Sequence, residues 1–243
     1  MSLWNSAIGA MIGFTLGGPI GALLGGVIGS RFGSRGKRGS FSNNQQHQVA
    51  FFTALFACLA KLAKADGIVS KEEIQAVDRF IKERFKFDSD QRKFAIDIFN
   101  HAKEDNNTYE DYAQQLSTLL RNNKNALLVF YELLFELAMA DGVLHKKEEE
   151  LLRNTVHIFG IDPNIFENLK SQSLDSNLSP YSVLGVSEDM EFEEIKRIYR
   201  QKRKEFHPDT LISKGLPEEL IERAKEKFIE IQEAYEAIEK KRN

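Results

Sequence analysis

The tripeptide His207-Pro208-Asp209 sets an imidazole and a carboxylate two residues apart with a proline between them. Such a pair can act as a general base and its orienter, but only beside a nucleophile or a metal. The sequence offers neither at a usable spacing. The one cysteine, Cys58, lies in the apolar run "ALFACLAKLA", where a free thiol behaves as a small hydrophobe and fits a reducing compartment. The five histidines are scattered without CxxC or HExxH spacing, which argues against a zinc site. Pro208 removes a backbone donor and restricts the residue before it, so the preceding helix should stop near Phe206 or His207. The simplest role for His207 alone is a polar group at a helix end. That helix carries Lys196, Arg197, Arg200, Lys202, Arg203 and Lys204, so the loop stands beside a row of positive charge.

A second set of groups consists of acids. Asp66 with Glu73, and Asp141 with Glu148, could gather carboxylate oxygens at two turns, as hard cations such as calcium or magnesium require. The spacing lacks the acid density of an EF-hand loop. Capping and charging of helix ends is the simpler assignment, so these four are weak metal candidates.

The elements that must position these groups read as helical. A chain of 243 residues supports one or two domains with their own cores, and a formal net charge of -3 makes no case for nucleic acid as a partner. Between two polar breaks the apolar residues keep a helical period, with no alternating strand pattern. That region contains a repeat: "LAKLAKADGIVSKEE" (59–73) aligns with "LFELAMADGVLHKKE" (134–148). Each copy is an apolar helix ending at Asp-Gly, where glycine can take a left-handed cap, and a new helix follows. Ser70 and Glu73 have capping-box spacing. Two helix hairpins of this kind imply an all-helical bundle.

From Met1 to Ser30 no side chain carries a charge. The run is long enough to cross a bilayer as a helix. Basic residues follow it at Arg31, Arg35, Lys37 and Arg38, while the leader "MSLWNS" is neutral. This pattern predicts an uncleaved single-pass anchor with its N-terminus outside and the rest of the chain in the cytoplasm. Trp4 would sit at the outer interface. Gly9, Gly13, Gly17, Gly21, Gly25 and Gly29 recur every four residues, making a groove through which two such helices could pack as a homodimer. Pro19 is expected to bend or strain the span. A flexible glycine-rich tail is the plainer alternative. Residues 31–45 read as a basic flexible linker and residues 171–179 as a second linker.

The duplicated "ADG" turns with a downstream glutamate resemble the TerB-like domain, over roughly Gln46 to Lys170. Some members of that family bind metal at such acids. Farther on, Tyr181, Leu184 and Val186 form a short apolar element closed by Gly185, and Ser187 is a plausible N-cap. Leu220, Ala224, Phe228, Ile231, Tyr235 and Ile238 then fall on one helical stripe behind Pro217. The ordered set "YSVLGV", "IYRQKRKEFHPD" and "KFIEIQEAYEAI" resembles the J domain of DnaJ-like co-chaperones. By that resemblance, His207, Pro208 and Asp209 would be the loop that stimulates ATP hydrolysis by a DnaK-type chaperone. Arg200, Lys202, Arg203 and Lys204 would dock electrostatically. Many J domains carry leucine and alanine where this chain has Lys202 and Arg203, the loop after the tripeptide is longer, and a fourth helix is absent or reduced to "EKKRN".

Nearly the whole chain resembles the DjlA type of membrane-anchored DnaJ-like proteins. The resemblance implies an all-α protein: anchor 1–30, linker 31–45, TerB-like domain 46–170, linker 171–179 and J domain 180–243. It also implies a non-enzymatic co-chaperone without cofactor at the bacterial inner membrane, with an unknown client and no nucleic acid. The rival reading is a membrane-bound adaptor that senses a metal or ligand through the TerB-like domain.

Overall fold

The computed structural model of the chain describes residues 11–12, 17–32, 38–39, 43–65, 67, 75, 77–79, 81–82, 85, 87–121, 123–139, 142–174, 179–207 and 218–242. The chain divides into two compact units, Met1–Gly160 and Ile161–Asn243. Both are helical. Among the described residues the sole extended pairing is two residues long, β1 (Met11–Ile12) parallel to β2 (Arg38–Gly39).

The first unit is built around one helix. In α2 (Asn43–Ala63) every residue from Val49 to Ala60 is buried. A helix apolar on all sides must be enclosed by others. It is packed by α3 (Ser89–Glu104), α4 (Tyr109–Leu119), α5 (Lys124–Ala138) and α6 (Lys146–Phe159). The buried Thr53 hydroxyl donates to the Val49 carbonyl at 2.7 Å, which satisfies it inside the helix. Phenylalanines fill the space between helices, with Phe51 edge-on to Phe130 at 4.9 Å and Phe52 edge-on to Phe85 at 5.6 Å. Cys58 is buried in this core, and burial pushes its thiol well above the ordinary range.

Capping sets the starts of these helices. Asp88 with Gln91 and Thr108 with Asp111 form reciprocal capping boxes. Asn123 accepts from Ala126 N–H at the start of α5. A carboxylate joins three helix ends: the Lys61 ammonium lies 2.7 Å from Asp105 Oδ1, and Asp105 Oδ2 also accepts from the Tyr112 hydroxyl.

The glycines of the duplicated turns both take a positive φ. Gly67 and Gly142 have φ of 123° and 84°, and each N–H donates at 2.9 Å to the carbonyl three residues back, Lys64 and Met139. Glycine is required there for the reason given by the sequence.

The N-terminal expectation is met only in part. Helix α1 is Gly18–Phe32, 15 residues, or about 22 Å against a hydrocarbon layer of about 30 Å. Among the described residues no helix is long and apolar enough to cross a membrane. Ile20, Leu23, Leu24 and Val27 are buried, and α1 packs on α2, α3 and α4. Its start is gripped by one side chain: Gln115 Oε1 accepts from Ile20 N–H at 2.8 Å, and Gln115 Nε2 donates to the Gly17 carbonyl. Pro19 does not bend the helix as expected. It occupies the first turn, where its missing donor has no intrahelical partner to lose. In the glycine row, Gly17 is exposed, Gly21 buried and Gly25 half-buried. Gly9 and Gly13 lie outside the described residues, as does the side-chain environment at Gly29.

The second unit holds α7 (Ile165–Leu174), α8 (Pro180–Leu184), α9 (Phe192–Glu205) and α10 (Glu218–Arg242). Helix α7 takes in the first four residues of the stretch read as a linker. Ser179 caps α8 ahead of Pro180, and Gly185 ends it at φ 60°. Helices α9 and α10 pack as a hairpin braced by α8. Ala224, Ile231, Tyr235 and Ile238 form its buried stripe, joined by Ala234. The segment "EKKR" is part of α10, which runs without a break to Arg242.

Candidate functional site

The site is the C-terminal half of α9 and the residue that leaves it. Glu193 and Glu194 stand in the first turn of α9, and Lys202, Arg203 and Lys204 in the last. Both placements suit the helix dipole. Ile195 is buried, while Ile198 and Tyr199 are half-buried against the hairpin partner. The basic residues divide accordingly. Lys196 and Arg197 sit 4.0 and 3.2 Å from Glu193 and Glu194, whereas Arg200, Arg203 and Lys204 are exposed toward the helix end. A run of exposed cations there raises the local potential and steers acidic surfaces.

Phe206 ends the helix. Its N–H donates to the Lys202 carbonyl at 3.0 Å, and its ring is buried. His207 follows, exposed, with its ring perpendicular to Phe228 at 5.6 Å. The structure therefore places the helix stop where Pro208 predicts it. Pro208 and Asp209 themselves, with Pro217, lie outside the described residues.

Three stacked rings fix the hairpin. Tyr199 lies flat on Tyr235 with centroids 4.0 Å apart and planes 9° apart, and Phe192 stacks on the same tyrosine at 6.0 Å. Burial and the Glu239 carboxylate, which accepts from the Tyr235 hydroxyl at 3.0 Å, push that phenol up to about 12. At the far end Arg242 lies over the Tyr181 ring and donates to the Met190 carbonyl at 2.7 Å, tying the α10 terminus to the loop before α9. Lys241 sits 2.5 Å from Glu188, which lowers the carboxylate and raises the amine. Ser187 is not the N-cap of α9: its hydroxyl bonds to Asp189, it opens a turn to Met190, and Glu191 holds the cap position.

The two departures at Lys202 and Arg203 each meet a partner within the unit. Lys202 is half-buried, and its Nζ lies 3.5 Å from where a Cβ on Gly185 would stand, at the C-terminal end of α8. A cation is favoured there by the helix dipole. The Arg203 guanidinium lies over the Phe228 ring, 5.6 Å from its centroid. Sequence reasoning assigned Phe228 to the core stripe and missed that it faces both Arg203 and His207. Only i, i+4 spacing of Arg203 and His207 hinted at a shared neighbour.

Of the four acids proposed at the duplicated turns, Asp66, Glu73 and Asp141 lie outside the described residues. Glu148 is buried, and its Oε2 accepts from His145 N–H at 2.9 Å as part of a cap. Among the described residues no group of three or more histidine, cysteine, aspartate or glutamate side chains is placed to hold a metal ion.

Comparison with known proteins divides the chain in the same order. Residues 1–39 match the family described as Co-chaperone DjlA transmembrane domain, residues 52–171 the family Tellurite resistance protein TerB, and residues 179–243 the DnaJ domain. The Co-chaperone protein DjlA of Photobacterium profundum is 32% identical over 225 residues, covering 83% of this chain and 81% of that protein. Those of Vibrio parahaemolyticus and Vibrio cholerae are each 31% identical, covering 85% of this chain and 83% of the relative. No solved structure gives a significant match. An exposed basic helix end, a histidine at its exit, a helical hairpin behind them, and a three-part match along the chain lead to one assignment: the chain belongs to the DjlA family of DnaJ-type co-chaperones.

Proposed function

We propose that this co-chaperone recruits a DnaK-type chaperone through α9 and stimulates its ATP hydrolysis with His207, Pro208 and Asp209, and that it does so at the cytoplasmic face of the bacterial inner membrane. The observation that carries the reading is the exposed basic end of α9 leading directly into His207, within the segment that matches the DnaJ domain. Arg200 and Lys204 supply exposed charge there, with Lys202 half-buried and Arg203 laid over the Phe228 ring beside them. Such a contact is small, transient and salt-sensitive. The protein hydrolyses nothing itself; it acts on the active site of its partner.

Anchoring rests on residues 1–30 as a single span with a short N-terminus outside, supported by the uncharged run, its basic flank and the match over residues 1–39. Insertion exchanges the contacts of Ile20, Leu23, Leu24 and Val27 with the first unit for lipid. The glycine row from Gly9 to Gly29 would then face a second copy. We assign residues 31–45 and 171–179 as connecting segments, 46–170 as the TerB-like domain and 180–243 as the J domain.

The test is ATP turnover by a DnaK-type chaperone with the full-length chain reconstituted in vesicles. The wild type raises turnover, and His207→Gln or Asp209→Asn abolishes the increase while leaving helix content unchanged. Stimulation that survives both substitutions refutes the mechanism.

A further inference from the structure

We infer that Arg203 is a positioning residue for His207, acting through the ring of Phe228, and that it is not one of the docking charges. Three side chains meet at this point: Arg203 from the last turn of α9, His207 from the residue after it, and Phe228 from α10. The Phe228 ring carries the guanidinium over it, 5.6 Å from the centroid. The same ring stands perpendicular to the His207 imidazole, 5.6 Å away at 87°. One phenyl group therefore contacts both. A long polarizable side chain laid over a ring covers that face and narrows the ring's range of motion, and the planar guanidinium does so here.

The backbone leaves the helix at Phe206, so no further turn of α9 confines the imidazole. Phe228 is half-buried on a helix whose neighbouring positions Ala224 and Ile231 are buried, so its backbone is fixed by the core. Holding the ring in place limits the directions in which the imidazole can settle against it. A loop held in its bound form loses less entropy when the partner arrives. Arg203 thus contributes to the orientation of His207 through the ring it covers, whereas Arg200, one turn earlier, is the charge assigned to electrostatic steering.

This deepens the function proposed above and rests on it only for the turnover arm of the test. The full-length chain is prepared in micelles with 13C-labelled histidine and compared as wild type, Arg203→Met, Arg203→Ser, Phe228→Leu and Arg200→Gln. Methionine removes the charge and still covers the ring with a long polarizable chain; serine removes both. The expected result is a His207 ring resonance shifted in Arg203→Ser and Phe228→Leu and close to wild type in Arg203→Met and Arg200→Gln. In the turnover assay at saturating co-chaperone, Arg203→Ser lowers maximal stimulation about fivefold. Arg203→Met keeps most of it, and its salt dependence matches the wild type. Arg200→Gln weakens apparent affinity and flattens the salt dependence. The proposal is overturned if Arg203→Met and Arg203→Ser behave alike and both copy Arg200→Gln, or if the His207 resonance is unmoved in Arg203→Ser. A wild type that fails to stimulate turnover counts against the function proposed above, while the resonance shifts still decide the role of Arg203.

Discussion

Replacing Tyr235 with alanine removes the middle of the three-ring stack that joins α9 to α10. Tyr235 is 7% exposed, so nearly all of its ring surface is lost from the core, a change that costs about 3–5 kcal/mol for large aromatic side chains. Within that sum each ring pair contributes about 0.5–1.5 kcal/mol beyond burial, and both the Tyr199 and Phe192 pairs disappear together. Tyr235→Leu keeps most of the buried area and loses the two ring pairs, so its cost is about 1–3 kcal/mol. At about 0.05–0.15 kcal/mol per residue, a unit of about 80 residues is stable by about 4–12 kcal/mol. The alanine variant therefore brings the second unit close to unfolding, and the leucine variant does not. Hydrogen exchange read peptide by peptide across urea concentrations separates this unit from the first. Exchange in α9 and α10 should rise steeply in the alanine variant, with α2 to α6 unaffected. A cost below about 1 kcal/mol for Tyr235→Ala, or equal costs for Ala and Leu, would refute the stack as the element that holds the hairpin.

Gln115→Ala deletes both hydrogen bonds to the start of α1, a loss of about 1–2 kcal/mol that shifts α1 from the protein surface toward lipid. Vesicle flotation should show membrane partitioning raised by about five- to thirtyfold, and unchanged partitioning would contradict the contact. The tyrosines supply a pH test. Burial is the main cause that raises Tyr109, Tyr112, Tyr131 and Tyr235, the last to about 12. The folded chain keeps these protons after the unfolded chain releases them at a pH of about 10, so stability falls as pH rises through that value and continues to fall toward 12. Phenolate absorbance should therefore appear late for these four of the six tyrosines, together with loss of helix signal. A single early step for all six would count against their burial.

What the sequence could express was local. The stop at Phe206 follows from Pro208, the left-handed turns at Gly67 and Gly142 follow from Asp-Gly at the ends of apolar helices, and the α10 stripe follows from its period. Contacts between distant segments left no such mark. Gln115 and Ile20 are 95 positions apart, and a lone glutamine in a helix has no pattern that names its partner. At Lys202 and Arg203, where many J domains carry leucine and alanine, residue type alone names no partner. Lys202 snorkels to the end of α8, and Arg203 covers an aromatic ring. Serine suits a turn as well as a cap, and at Ser187 the turn comes first.

Asp105 has a consequence for how this protein can change. Its carboxylate takes hydrogen bonds from Lys61, from the Tyr112 hydroxyl and from both the backbone and side chain of Asn107, so three residues share one acceptor. Their substitutions are not independent: once Asp105 is gone, the further penalty for losing Lys61 or Tyr112 shrinks, and restoring either alone recovers little. The four positions are thermodynamically one site, and single replacements there are epistatic, each measured effect depending on which of the other three is still in place.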